Sequence, residues 1–128
     1  MVLLKREHPG SGPMVTGFTG TGFRVDGEVV DSGLWLTPEW SRAWDTSDMK
    51  ALDAAMLDPL LSIDPLPEFL LLGTGASLRR PTPAFIATVE ARHIGVETMD
   101  SRAAARSWGL LRSEDRWIVA ALLPLDQA

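Results

Sequence analysis

Two unbroken apolar runs constrain this chain more than anything else in it: "FLLLG" at residues 69–73 and "WIVAALLPL" at 117–125. A strand that is apolar at every position has to be covered on both faces, a condition met in layered folds with parallel or mixed sheets. Pro124 halts the second run. Between them, Thr82-Pro83 places a capping hydroxyl before a proline at the first helical position. This predicts a helix through about His93, with Phe85, Ile86, Val89 and His93 on one side and Gly95 ending it. "VETM" at 96–99 reads as a brief strand, and Asp100 or Ser101 caps a further helix over "RAAARSWGLLR". Strand, helix, strand, helix, strand over 69–123 predicts a layered α/β domain with a mixed sheet.

The first half reads differently. "GFRVDGEVVDSGLWLTP" alternates around Asp26-Gly27, a dipeptide that tolerates the positive φ of a tight hairpin turn. Ser32-Gly33 then precedes a third short strand at Leu34 to Thr37, so an antiparallel unit is expected. Residues 1–16 are expected to be a loosely ordered lead-in to a single domain over 17–128, with regular structure beginning near Gly22. Thr37-Pro38-Glu39 has the order of a helix start and predicts a short helical turn over "PEWSRAW", with Trp40 and Trp44 on one face. Ser47 or Thr46 could cap "DMKALDAAML", where Met49, Leu52, Met56 and Leu57 recur at helical spacing until Pro59, Pro65 and Pro67 stop it.

Composition narrows the function classes. Twelve basic against seventeen acidic residues give a net charge of −5, which opposes a nucleic acid partner. With no cysteine there is no disulfide, thiolate metal site or thiol nucleophile, and cytoplasm is the expected compartment. No stretch approaches the roughly 20 apolar residues of a membrane span, and the Val2–Leu4 run is short of a signal-peptide core. The only histidines, His8 and His93, lack ligand spacing, and no Gly-x-Ser-x-Gly elbow occurs. No catalytic residue, metal or cofactor is therefore expected.

"FLLLGTG", followed by "VETMDSRAAARSWGLLRSEDRWIVAALLPL", resembles the Mth938-like family, small single-domain proteins of unknown biochemical function that include the mitochondrial complex I assembly factor 3. "DSGLWLTPEWSRAW" is similar to the family's Gly-to-Pro-to-Trp segment, and the likeness covers about residues 17 to 125. It departs at Ser107-Trp108-Gly109, where the family often has Thr-Tyr-Asn. The resemblance implies a three-layer α/β fold with a central mixed β-sheet of about five strands, an N-terminal β-hairpin and flanking helices. It implies no established catalytic residues.

Three constellations merit a functional reading beside a structural one. Gly73-Thr74-Gly75 after an apolar strand suits either an anion-holding loop or a plain turn. A dinucleotide fingerprint is disfavoured, because Leu78 stands at the third glycine position. Arg102 and Arg106 fall with Gly109 on one helical stripe, which is either a solvated face or, with Arg79 or Arg80, a cationic pocket. Trp40 and Trp44 are either a partner-binding anchor or buried against the hairpin. Glu114 and Arg116 are expected to form a local ion pair. The leading expectation is a non-enzymatic protein-binding or assembly-type domain in a bacterial cytoplasm. The alternative is a small anionic-ligand-binding or enzyme-like domain using Gly73 to Gly75 with Arg79, Arg102 and Arg106.

Overall fold

The computed structural model describes residues 11–45 and 52–127. Along it run β1 (Val15–Thr19), β2 (Gly22–Val25), β3 (Glu28–Val30), β4 (Gly33–Leu36) and β5 (Ser41–Trp44). A 3-10 turn (Ala54–Leu57) leads into α1 (Asp58–Leu61), followed by β6 (Phe69–Gly73), α2 (Pro83–Glu90), β7 (Gly95–Met99), α3 (Ser101–Ser113) and β8 (Val119–Leu122). The two apolar runs lie side by side: β6 and β8 pair in parallel at the middle of a five-stranded mixed sheet ordered β5-β4-β8-β6-β7. Strands β1, β2 and β3 form a separate antiparallel sheet.

Alternation along the central strands sorts side chains between two cores. Leu70, Leu72, Val119, Ala121 and Trp35 join α1, α2 and Trp44 on one face. Leu71, Ala120, Leu122, Leu34 and Leu36 join Ala104, Trp108 of α3 and Phe23 of the small sheet on the other. The α/β architecture is thus three layers deep, as the apolar runs require. Each fully buried large side chain supplies roughly 1.5–3 kcal/mol before chain entropy is set against it.

Local signals explain much of the element pattern. Asp26 (φ 50) and Gly27 (φ 89) both take the left-handed backbone of the tight β2–β3 turn. The side chains of Thr82 and Asp100 accept hydrogen bonds from the N–H groups of Phe85 and Ala103, capping α2 and α3.

Several expectations are corrected. Regular structure begins at Val15, before Gly22, because distant residues hold this stretch: Asp26 N–H donates to the Met14 carbonyl at 3.2 Å, and the Trp108 indole donates to the Pro13 carbonyl at 2.9 Å. The expected third strand of the hairpin unit, β4, leaves that sheet and pairs with β5 and β8. "PEWSRAW" is no helical turn. Thr37 Oγ1 does accept from the N–H groups of Glu39 and Trp40, but Thr37 N–H donates to the Trp40 carbonyl and the chain reverses into β5. Thr46, Ser47 and Met49 of the expected helix over 48–57 lie outside the described residues. Its visible part is the 3-10 turn capped by Asp53, and Pro59 opens α1 instead of ending a helix. Helix α2 stops at Glu90; His93 (φ 66) makes the turn and Gly95 begins β7.

Candidate functional site

The Gly-Thr-Gly loop is wired inward. Thr74 N–H donates to the Met99 carbonyl at 2.8 Å, Gly75 N–H to Ser101 Oγ at 2.8 Å, and Ala76 N–H to the Gln127 carbonyl at 2.9 Å. Arg79 N–H donates to Thr74 Oγ1 at 3.0 Å, and that hydroxyl lies 2.7 Å from the Ser77 carbonyl. The amides that would hold an anion are therefore already donors to the protein's own oxygens. Ser101 completes the clasp: fully buried, it donates to the Leu123 carbonyl at 2.7 Å while accepting from Gly75. A Cβ at Gly73 would stand 2.9 Å from Ser101 Oγ and 2.8 Å from Leu122 Cδ2. At Gly75 (φ +97) it would collide with the Gln127 carbonyl. Both glycines thus serve close packing here.

The arginines are not gathered at this loop. Arg79 is tied to it only through its backbone, whereas Arg102 and Arg106 project along β1. The Arg102 guanidinium lies 5.6 Å from the centre of the Phe18 ring. Arg106 and Ala105 face Val15, Thr16 and Gly17 across a shallow cleft of about 190 Å³. Arg102, Arg106 and Leu110 follow one another at four-residue spacing on α3, and Leu110 is 63% exposed. Among the described residues, no carboxylate pairs with either arginine. This row with Phe18 makes a face both cationic and apolar. Phe18 was missed in the sequence because it precedes Gly22, where regular structure was expected to begin.

The two candidate tryptophans part company. Trp44 is 6% exposed and packs against Trp35 with ring centres 6.0 Å apart, whereas Trp40 is only partly buried under the Arg42 guanidinium, 4.7 Å away. Trp35 carries a buried indole N–H with no hydrogen-bond partner among the described residues. Between the 3-10 turn and α2 lies another open cleft of about 300 Å³, but Asp53 and Thr82, which line it, are engaged in capping backbone N–H groups.

Arg116 does not pair with Glu114 as expected. It forms a two-pronged contact with Glu68, Nε and Nη2 lying 3.0 and 2.7 Å from Oε1, and Trp117 N–H donates to Glu68 Oε2. Arg116's hydrogen bonds, ahead of the opposing effect of partial burial, hold the Glu68 carboxyl below its ordinary range. This joins the ends of β6 and β8 and is structural. No group of three or more metal-ligating side chains occurs among the described residues, and no described helix is long and apolar enough to cross a membrane.

Comparison with known proteins matches residues 15–123 to the family described as "Protein of unknown function (DUF498/DUF598)". The chain is 26% identical over 123 residues to the NADH dehydrogenase [ubiquinone] 1 alpha subcomplex assembly factor 3 of Danio rerio, covering 96% of this chain and 71% of that protein. It spans 58% of the Xenopus tropicalis counterpart. An uncharacterised protein of Rhodobacter capsulatus is 31% identical over 106 residues, 83% of this chain and 80% of the relative. Among solved structures, a Mth938-like domain from Bordetella pertussis superposes with a TM-score of 0.76 at 27% identity, over 91% of this chain and 88% of that one.

Proposed function

Because the chain belongs to the DUF498/DUF598 family of proteins of unknown function, we propose that it is a non-enzymatic protein-binding module of the assembly-factor kind. It takes an acidic, partly apolar segment of another protein on the outer face of α3. The observation that carries this reading is that Arg102 and Arg106 stand exposed beside Phe18 and Leu110 with no carboxylate paired to them among the described residues. A row of unpaired cations flanking apolar side chains suits a complementary acidic surface, which it steers and then holds. The name borne by the zebrafish relative supports an assembly role, and the lack of cysteine supports a reducing compartment such as the cytoplasm. The small-anion reading has weaker support, since the loop amides are already committed within the chain.

The test is affinity capture from a cell extract with the wild-type chain and the Arg102→Glu/Arg106→Glu variant, beside a thermal-shift screen of phosphate, nucleotides and small carboxylates. We expect a partner whose recovery falls about tenfold or more on charge reversal, the equivalent of roughly 1.4 kcal/mol. The melting temperature should hardly change, because both side chains are exposed. Equal recovery would remove this face from the function, and a small anion that stabilises only the wild type would install the ligand reading instead.

A further inference from the structure

A second surface stands apart from α3. Among the described residues, strand β5 is an edge of the five-stranded sheet and β3 an edge of the small sheet. Between them runs an open groove of about 360 Å³. On β5 the alternation of an antiparallel ladder decides which backbone groups are free. Thr37 N–H donates to the Trp40 carbonyl, so Trp40, Arg42 and Trp44 direct their backbone groups toward β4. Ser41 and Ala43, both exposed, direct theirs outward.

The two faces flanking this edge differ in chemistry. Arg42 lies opposite Trp35 in the ladder, on the face of α1 and α2. Its guanidinium centre is 4.7 Å from the Trp40 ring and 5.7 Å from that of Trp35. These rings hold the cation in place without neutralising it. Among the described residues, no carboxylate pairs with it. On the opposite face Ser41 and Ala43 look into the groove, which Val25, Asp26, Glu28, Val30 and Arg42 also line.

We infer that the β5 edge is a site for β-strand addition, taking an extended segment of a partner protein with an acidic residue opposite Arg42 and apolar residues on either side of it. The outward N–H and C=O groups of Ser41 and Ala43 supply main-chain pairing, the mode in which an exposed edge captures a peptide. Period-two alternation sends the acidic side chain toward Arg42 and its two neighbours into the groove against Val25 and Val30. A second copy of this chain fits less well. The two-fold register using both outward residues of each strand sets Arg42 opposite Arg42, and like charges directly opposite are unfavourable.

The experiment uses fluorescence anisotropy with the labelled peptide Thr-Thr-Val-Glu-Val-Thr-Thr, a Val-Lys-Val counterpart, and the Glu peptide N-methylated at both valines. The Glu peptide should bind at least about tenfold more tightly than the Lys peptide, as expected for one gained and one opposed charge, and Arg42→Glu should invert the order. N-methylation should weaken binding about tenfold or more by removing main-chain donors, leaving the protein itself untouched. Ala43→Pro should do the same while preserving the melting temperature, since the N–H it deletes faces away from β4. Absence of binding by the Glu peptide at about 1 mM would overturn the inference. So would equal affinity for the Glu and Lys peptides, or indifference to N-methylation. A concentration-dependent dimer abolished by Ala43→Pro would overturn it in favour of self-pairing.

Discussion

Ser101 carries a fully buried hydroxyl whose one oxygen serves both the N–H of Gly75 and the carbonyl of Leu123. Ser101→Ala leaves both without a partner, and should destabilise the protein by about 2–4 kcal/mol in a urea unfolding series. Gly73→Ala forces a methyl group against Leu122 and Ser101 and should cost about 1–3 kcal/mol in the same assay. The buried tryptophans give a sharper comparison. The Trp108 indole N–H donates to the Pro13 carbonyl, whereas that of Trp35 finds no acceptor among the described residues. Replacing Trp35 with Phe therefore removes an unsatisfied donor, and replacing Trp108 strands an acceptor. We expect Trp35→Phe to cost about 1–2 kcal/mol less than Trp108→Phe, and equal losses would mean that the Trp35 donor is satisfied in solution.

Helix α3 is set by its start: Asp100 Oδ2 accepts from Ala103 N–H, and the apolar side of the helix then falls on β6 and β8. Asp100→Ala should cost about 1 kcal/mol, read as a lower thermal midpoint with the far-ultraviolet circular dichroism unchanged at room temperature. Elements of this kind were legible in the chain because their causes are local. The caps of Thr82 and Asp100, the Asp26-Gly27 turn and the two all-apolar strands each need only a few neighbouring residues. Strand β5 was not legible, since Thr37-Pro38-Glu39 satisfies the local rules for a helix start and pairing with β4 overrules them. The fate of the Gly-Thr-Gly loop depends on Ser101 and Gln127, far along the chain, and the partner of Arg116 is Glu68, 48 residues away. Of the candidate arginines, the stripe of Arg102 and Arg106 could be read from helical period, but its companion Phe18 could not.

At the scale of the whole molecule, the Glu68–Arg116 contact closes the junction between β6 and β8 and carries a pH signature. The folded carboxyl binds a proton less readily than the unfolded one, so its stabilising contribution is complete above the unfolded value. That contribution fades as pH falls through the lower folded value. The gap in stability between wild type and Glu68→Gln should be widest near neutral pH and close below the ordinary glutamate range. It should be modest, because both side chains are substantially solvent-exposed. A gap that widened on acidification would contradict the pairing.

The position of β8 has a consequence for synthesis. This strand comes after every other in the sequence yet lies in the interior of the sheet, between β4 and β6. While the ribosome has delivered only the earlier residues, β4–β5 and β6–β7 are two separate ribbons, each with a bare apolar edge where the missing strand belongs. Residues 119–122 join them in one stroke. A chain cut short before this segment lacks the one strand that pairs with both ribbons, and is expected to lose the continuity of the five-stranded sheet.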